Sequence, residues 1–344
     1  MYGVIFGDIA GKPYEGYGRM EESQVFRNKD VNGNEIPDEE SSFTDDTVLS
    51  IAIAECLLHC KAVSKLNDMA YVGTMTHNYL QKWGNQYPTL GYGTGFLNWL
   101  DEPVPYDSCG NGAAMRVSAA GMIATSKEQA RKLGETVTKV THNHPEGIKG
   151  GVCTAVLTYM AGMGTSKEEI LYEAGKYYDM NFHFYERKEE PMSRDIWLCQ
   201  GAVPLAIKAF LESESYEDMI RKLIAFGGDT DTTAAIAGSF GGLYYKVPEH
   251  YVKYVNKILL KDSNPNCPIP PILEAFLLDE DVYPKISRNG KLADKPLDYV
   301  PREIYEEKMK GKIAIPVIAK LKNTEEDVRK AKNVFHKFFQ KKEE

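Results

Sequence analysis

Residues 46–60, DTVLSIAIAECLLHC, decide the fold. The stretch contains neither glycine nor proline, and its apolar residues occupy almost every side of a helix, as is typical of a helix buried all round. Period-two alternation of apolar and polar residues is scarce elsewhere, so no sheet is expected to organise the chain. The sequence therefore predicts an all-α protein. Further helical runs lie at 126–138, 150–163, 166–178, 200–211, 216–225 and 232–245.

Small residues at helical spacing stand at the beginning of the chain. Gly3, Gly7, Ala10 and Gly11 fall on one side of a first helix, where they would let a neighbouring helix approach closely. Pro13 should end that helix, because a proline disfavours the helical conformation of the residue before it. Glu15 is then expected on a loop.

Helical periods extend to about residue 256, and prolines between 265 and 301 then interrupt them. We therefore predict a helical domain over 1–258 and a proline-rich extension over 259–344 that is extended or a linker. A short strand is expected at 313–318. A capping box at 324–327 predicts a final helix that packs on the main domain or on a partner.

Composition excludes several classes of protein. The 344 residues are 43% hydrophobic and 26% charged, as in soluble globular proteins. A net charge of −8 without a basic block argues against general nucleic-acid binding, which depends on phosphate neutralisation. The apolar stretch 152–164 is shorter than the ~20 residues that span a bilayer, and residues 1–8 do not resemble a signal peptide. We expect a cytoplasmic protein with reduced cysteines and no membrane contact.

Two short acidic clusters carry the chemistry: FTDDT at 43–47 and GGDTDTT at 227–233. Alone, each could simply cap a helix, because helix N-termini favour carboxylates. Acids one or two positions apart do not face one another on a regular helix, so a convergent arrangement needs irregular backbone and a cation. Carboxylate and hydroxyl oxygens are ligands that Mg²⁺ prefers. Together the clusters predict a site for a metal pair, with Asp8 as a supporting carboxylate.

Two other interpretations of the second cluster are weaker. A calcium loop of the EF-hand type needs glycine at its sixth position and glutamate at its twelfth, where this chain has Ala234 and Phe240. The pattern Asp-x-Asp-x-Thr at 229–233 also matches the nucleophile loop of haloacid-dehalogenase-type phosphatases. That loop should follow a β-branched strand, whereas a helical run and two glycines precede it here. A Mg²⁺-dependent phosphohydrolase therefore stays open as an alternative.

Two glycine-rich segments, LGYGTG at 90–95 and SCGNGA at 108–113, allow the backbone to approach a phosphate and offer N–H groups. Such segments are also common in plain turns. THNHPEG at 141–147 brings two histidines together. With so many oxygen ligands nearby, we expect these histidines to form hydrogen bonds rather than to bind a transition metal.

Five motifs and their order along the chain resemble the ADP-ribosylglycohydrolase family over about residues 1–255. The motifs are GDxxGxxxE at 7–15, FTDDT at 43–47, GNGxAMR at 110–116, THxHP at 141–145 and GGDTDT at 227–232. The resemblance implies an all-α, orthogonal multi-helix bundle with a binuclear metal cleft. Two Mg²⁺ ions, with Mn²⁺ as the other candidate, would lie at the floor of an ADP-ribose cleft.

The resemblance also implies roles for individual residues. Glu15 and Asp46 would be catalytic, with the acid and base roles between them unassigned, and Asp231 would touch both ions. The implied metal ligands are Thr44, Asp45, Asp46, Asp229, Asp231 and Thr232. The expected substrate-binding residues are Gly93, Ser108, Gly110, Asn111, Gly112 and His142.

The implied activity is Mg²⁺-dependent hydrolysis of the glycosidic bond between ADP-ribose and an acceptor, with release of ADP-ribose. An ADP-ribosylated protein or another ADP-ribose conjugate would be the substrate. The alternatives are the phosphohydrolase and an ADP-ribose-binding protein without turnover. Arginine, serine, O-acetyl, polymer and nucleic-acid linkages all place the same ADP-ribose in the cleft, so the motifs do not distinguish the acceptor.

Overall fold

Fifteen α-helices make up most of the regular structure in residues 1–37, 41–184 and 194–287, which the computed structural model describes. The prediction of an all-α fold is confirmed. A single antiparallel pair, β1 (Asn28–Lys29) and β2 (Glu35–Ile36), is the strand content of this part of the chain. The helices are α1 (Tyr2–Gly11), α2 (Asp45–Ala62), α3 (Met69–Gln86), α4 (Thr94–Asp101), α5 (Gly112–Met115), α6 (Ser118–Ile123), α7 (Lys127–Lys139), α8 (Pro145–Gly162), α9 (Lys167–Ala174), α10 (Cys199–Leu211), α11 (Tyr216–Phe226), α12 (Thr230–Gly241), α13 (Glu249–Asp262), α14 (Ile269–Leu277) and α15 (Tyr283–Ser287).

The stretch 46–60 forms the greater part of α2, which is buried almost throughout, as predicted. It packs against α1, α3, α6 and α14. Helix α2 begins at Asp45 because Thr44 caps it, accepting a hydrogen bond from the N–H of Asp46. The six other predicted helical runs are also found as α7 to α12, with ends shifted by a few residues.

Glycines on α1 let it lie directly on the backbone of α12, as the spacing predicted. A Cβ atom built at Gly7 would stand 2.4 Å from the carbonyl oxygen of Ala234, and one at Gly11 would stand 2.4 Å from that of Thr230. Neither backbone oxygen could move aside cheaply, so alanine is excluded at both positions. This contact sets the end of α1 beside the start of α12 and its acidic cluster.

The segment after residue 258 is more helical than its prolines indicated. We expected an extended segment, but Ile269–Leu277 is helix α14. Pro270 and Pro271 occupy its first turn, where the missing N–H group has no intrahelical partner anyway. Helix α14 packs on α2. The domain division at 258 stays a prediction, because the strand expected at 313–318 and the helix from 324 lie outside the described residues.

Helix α15 is tied to the main body by a buried lysine. Lys285 donates hydrogen bonds of 2.8 Å each from Nζ to the carbonyl oxygens of Met122 and Ala124, at the end of α6. None of the helices in the described residues combines the length and apolar character that crossing a membrane requires.

Candidate active site

Asp8 on α1 organises the first acidic cluster. Its fully buried carboxylate accepts hydrogen bonds from the N–H (2.9 Å) and hydroxyl (2.8 Å) of Thr44. It also accepts from the N–H (3.1 Å) and hydroxyl (2.5 Å) of Thr47. These bonds fix the first turn of α2 against α1, so Asp8 holds Asp45 and Asp46 in place.

The two acidic clusters meet at Asp46. Its Oδ2 atom lies 3.3 Å from the hydroxyl of Thr44 and 3.3 Å from the hydroxyl of Thr232, on the first turn of α12. Its Oδ1 atom is buried and has no hydrogen-bond partner. A buried, unpaired carboxylate oxygen is costly unless a ligand satisfies it. The predicted convergence of the clusters is thus present, and one oxygen is left open within it.

Carboxylate oxygens gather in two groups that share Asp231. In the first group, ligand atoms of Asp8, Asp46 and Asp231 all lie within 4.8 Å of one another. In the second, the same holds for Glu15, Asp229 and Asp231. Asp45 belongs to neither group, and its Oδ1 atom lies beside Gly91 of the first glycine-rich segment. All these aspartates are largely or fully enclosed, whereas Glu15 is exposed.

A glycine turn brings Glu15 to the site. Gly227 and Gly228 have positive φ angles of 87° and 79°, which glycine adopts without strain. The N–H of Gly228 donates to the carbonyl of Tyr17 at 2.8 Å, and the N–H of Gly16 donates to the carbonyl of Gly228 at 2.8 Å. The loop that carries Glu15 is therefore paired with the backbone just before Asp229.

Burial raises the pKa of the clustered aspartates. The pKa values of Asp46 and Asp231 are held well above the ordinary range, first by burial and then by neighbouring carboxylates. Burial and Asp8 raise the pKa of Asp45 to about 8. An excess of buried carboxylates with an unpaired oxygen fits a hard divalent cation, which prefers oxygen ligands. The donor set therefore suits Mg²⁺ or Mn²⁺.

Asn111 links the second glycine-rich segment to this centre. Its side-chain amide donates to Asp229 Oδ2 at 2.7 Å and to the carbonyl of Ile196 at 3.1 Å. The neighbouring Gly110 forms an antiparallel bridge with Leu198. The sequence predicted that Asn111 contacts the substrate. It did not predict the hydrogen bond to Asp229, a predicted metal ligand.

The remaining predicted substrate contacts have the following surroundings. Ser108 Oγ accepts from the N–H of Gly110 at 3.0 Å. A Cβ atom at Gly112 would stand 3.2 Å from His142 Nε2, so this glycine keeps space beside the imidazole. Gly93 is exposed at the start of α4 and has no atom near the position of a Cβ. The structure thus sets His142 beside Gly112.

Arg116, which ends the GNGxAMR motif, was missed as a functional candidate. It is fully buried, and its Nη2 atom donates to Thr141 Oγ1 at 2.6 Å. That hydroxyl lies 2.7 Å from His142 Nδ1. Burial and then Arg116 hold the pKa of His142 well below the usual range, so the imidazole is neutral. His144 caps α8 through Nδ1, in the hydrogen-bonding role expected for these histidines.

The sequence is similar to those of known ADP-ribosyl hydrolases. A family model described as ADP-ribosylglycohydrolase matches residues 1–277. Human ADP-ribosylhydrolase ARH3 is 25% identical to the chain, with coverage of 72% of this chain and 86% of that protein. The ADP-ribosyl-dinitrogen reductase glycohydrolase of Rhodospirillum rubrum is 24% identical, with coverage of 75% and 88%.

A bacterial protein and a solved structure are also similar to the chain. ADP-ribosylarginine hydrolase Tri1 of Pseudomonas putida is 24% identical, with coverage of 75% of this chain and 72% of that protein. A solved structure described as an ADP-ribosylglycohydrolase-related protein complex superposes with a TM-score of 0.52 at 20% identity. It covers 73% of this chain and 88% of that chain, and it supports the fold.

Proposed function

Since the chain belongs to the ADP-ribosylglycohydrolase family, we propose that it hydrolyses the glycosidic bond between ADP-ribose and an acceptor, and that two divalent cations serve as cofactors. The acceptor is a protein side chain or a small molecule, and free ADP-ribose is the product. The observation that carries this proposal is the meeting of Asp46 and Asp231 from distant acidic clusters around a buried, unpaired carboxylate oxygen.

The residues that would hold the cations are Thr44, Asp45, Asp46, Asp229, Asp231 and Thr232. Asp231 is the natural shared ligand, because its carboxylate belongs to both groups of oxygens. When bound, Mg²⁺ or Mn²⁺ would supply Lewis-acid stabilisation and orient the ribose hydroxyls. Asp8 would not need to contact a cation, since its hydrogen bonds to Thr44 and Thr47 already employ both of its oxygens.

Two carboxylates of this chain are placed to act on the glycosidic bond. Such bonds break through an oxocarbenium-like state, in which one carboxyl group assists the leaving group and another handles water or stabilises charge. Asp46 lies where the two acidic clusters meet, and its carboxylate would accept a proton from water. Glu15 is the exposed member, on the side from which a large acceptor could leave. We propose that these two residues share the acid and base roles.

The substrate cleft would be formed by Gly93, Ser108, Gly110, Asn111, Gly112 and His142. The neutral imidazole of His142 beside Gly112 can form a hydrogen bond without adding charge. Asn111, fixed on Asp229, would connect the sugar-binding segment to the cation-binding carboxylates. This connection supports a single cleft in which the distal ribose meets the cations.

The phosphohydrolase alternative has less support. Asp229 would have to be a free nucleophile at the end of a strand, but it follows a glycine turn and its Oδ2 accepts from Asn111. A binding protein without turnover would share the same cleft, and the experiment below separates it from an enzyme. A cytoplasmic location is supported by the six cysteines, all of which are free thiols.

The test is the release of free ADP-ribose from arginine-linked and serine-linked ADP-ribosyl peptides, with Mg²⁺ and with a chelator. We expect release from at least one linkage in Mg²⁺ and none in the chelator. Tight ADP-ribose binding without release from either peptide would point to another acceptor or to the binding protein without turnover. Liberation of inorganic phosphate instead would favour the phosphohydrolase.

A further inference from the structure

In the described part of the chain, Lys12 is the one lysine or arginine that forms an ion pair with either group of carboxylates, which together are called the acidic centre. Its Nζ atom pairs with Glu15 Oε2 and lies 3.9 Å from Asp231 Oδ2. The Lys12 side chain is 42% exposed, so it stands at the rim of the centre. Its two partners are both members of the Glu15–Asp229–Asp231 group.

The backbone beneath Lys12 is fixed to α12. Its neighbour Gly11 packs against Thr230, whose hydroxyl donates to the Gly11 carbonyl at 2.8 Å. Pro13 follows, and the N–H of Glu15 donates to the Lys12 carbonyl at 3.3 Å. The backbone that carries the Lys12 side chain is therefore fixed next to the first turn of α12, within reach of the carboxylates.

The two groups of oxygens therefore differ in charge compensation. Asp231 is common to both groups, but Glu15, which pairs with Lys12, belongs only to the second. Asp8 and Asp46 form no ion pair with a lysine or arginine of the described residues. Like charges repel, so the ammonium of Lys12 must oppose a divalent cation that binds to the second group. It also engages an oxygen of Glu15 that would otherwise be available to that cation.

We propose that Lys12 is a built-in counter-ion for the Glu15–Asp229–Asp231 group. Without a cation there it holds Glu15 close to Asp231, and it lowers the affinity of that group for a divalent ion. The Asp8–Asp46–Asp231 group then offers the tighter site, through Asp46 and Asp231, and the second ion is the weaker one. This inference rests on the proposed cation-dependent function.

The experiment is calorimetric titration of Mg²⁺ and Mn²⁺ into the metal-free full-length protein and three variants. Lys12→Met removes the charge but keeps the aliphatic stem, and Lys12→Arg keeps the charge. Lys65→Met is the matched control, because Lys65 forms an exposed i,i+3 pair with Asp68, which belongs to neither group of oxygens. A thermal melt of each metal-free protein accompanies the titration.

In Lys12→Met we expect the weaker ion to bind about fivefold more tightly, with the tighter ion unchanged, since a half-exposed charge acts through a screened field. Metal-free Lys12→Met should also melt earlier than Lys65→Met. Lys12→Arg and Lys65→Met should bind both ions as the wild type does.

Unchanged affinity for the weaker ion in Lys12→Met would overturn the role of Lys12, and so would loss of that ion. Both results leave the proposed function intact if the wild type binds two ions. Absence of divalent-ion binding in the wild type would overturn the cation centre itself, and the role of Lys12 with it.

Discussion

Buried acids occur in two kinds of surroundings in this molecule. Glu55 on α2 accepts from Lys82 at 2.7 Å and from the indole N–H of Trp83 at 2.7 Å. Glu173 on α9 accepts from Lys127 at 2.9 Å and from Lys176 at 2.7 Å. Burial works to raise the pKa of Glu173, but the lysine hydrogen bonds outweigh it and lower that pKa. These acids have cations supplied by the protein itself.

The aspartates of the candidate active site lack such compensation. Burial raises the pKa of Asp46 and Asp231 instead, and among the described residues only Lys12 forms an ion pair with any member of the centre. A chain that pairs its structural acids but leaves these unpaired has charge available for a ligand. The contrast separates acids that are paired within the protein from acids whose charge is available to a cation.

The largest expected effect comes from the shared ligand. Asp231→Asn should remove divalent-ion binding and lower ADP-ribose release by more than about 100-fold, because both groups of oxygens lose a member. Calorimetry with Mg²⁺ and a release assay would measure the two effects. Near-normal Mg²⁺ binding in this variant would contradict the proposal that Asp231, unlike the paired acids, binds a cation.

The pH dependence of stability should differ between metal-free and Mg²⁺-bound protein. The unfolded chain loses the Asp45 proton near pKa 3.8, whereas the folded, metal-free protein keeps it up to about 8. Stability of the metal-free protein therefore falls as pH rises through that window, and levels off above it. We expect the melting temperature to drop by about 5 °C between pH 5 and pH 9.

Saturating Mg²⁺ and the variant Asp45→Asn should each flatten this slope, because each removes the cost of ionising this carboxylate in the folded protein. Thermal melts in matched buffers would measure it. A metal-free protein whose melting temperature rose steadily from pH 5 to pH 9 would contradict the raised pKa.

Replacing a structural acid should lower stability and leave cation binding unchanged. Glu173→Gln should lower the free energy of unfolding by about 1.5 kcal/mol, since its lysine partners are about half exposed and can return to water. Mg²⁺ affinity and ADP-ribose release should stay at wild-type values. Denaturant unfolding and calorimetry test the two parts, and a loss of Mg²⁺ affinity would break the comparison.

A smaller effect is expected at Asn111, which links the second glycine-rich segment to Asp229. Asn111→Ala removes the hydrogen bond to Asp229 Oδ2, and should weaken divalent-ion binding about tenfold. Asn85→Ala, on the exposed surface of α3, is the control, because its amide bonds only within that helix. Equal Mg²⁺ affinity in the two variants would show that Asn111 does not position Asp229.

Patterns local in sequence were predictable, and contacts between distant segments were less so. The apolar residues of 46–60 predicted α2, and the glycines of α1 predicted that another helix packs closely on it, because periodicity and side-chain size act locally. That this helix is α12 was not predicted. The prolines at 270 and 271 were misleading, since proline interrupts a helix interior but suits its first turn. The residues around Pro270 and Pro271 did not show whether these prolines would lie inside a helix or in its first turn.

Within the site, the acidic clusters and the five motifs led to the aspartates and to Asn111. They did not reveal the four groups that converge on Asp8, the burial of Arg116 or the ion pair of Lys12. Each of these depends on where a second segment lies after folding. A lysine beside Pro13 resembles any solvated loop charge until α12 is placed next to it.

The most direct test of cation binding by the uncompensated aspartates is anomalous diffraction from crystals grown with Mn²⁺. The expected result is strong manganese peaks among the carboxylates of Asp46, Asp229 and Asp231, with none beside Glu55 or Glu173. Crystals of active protein with no manganese peak at the aspartates would contradict the account.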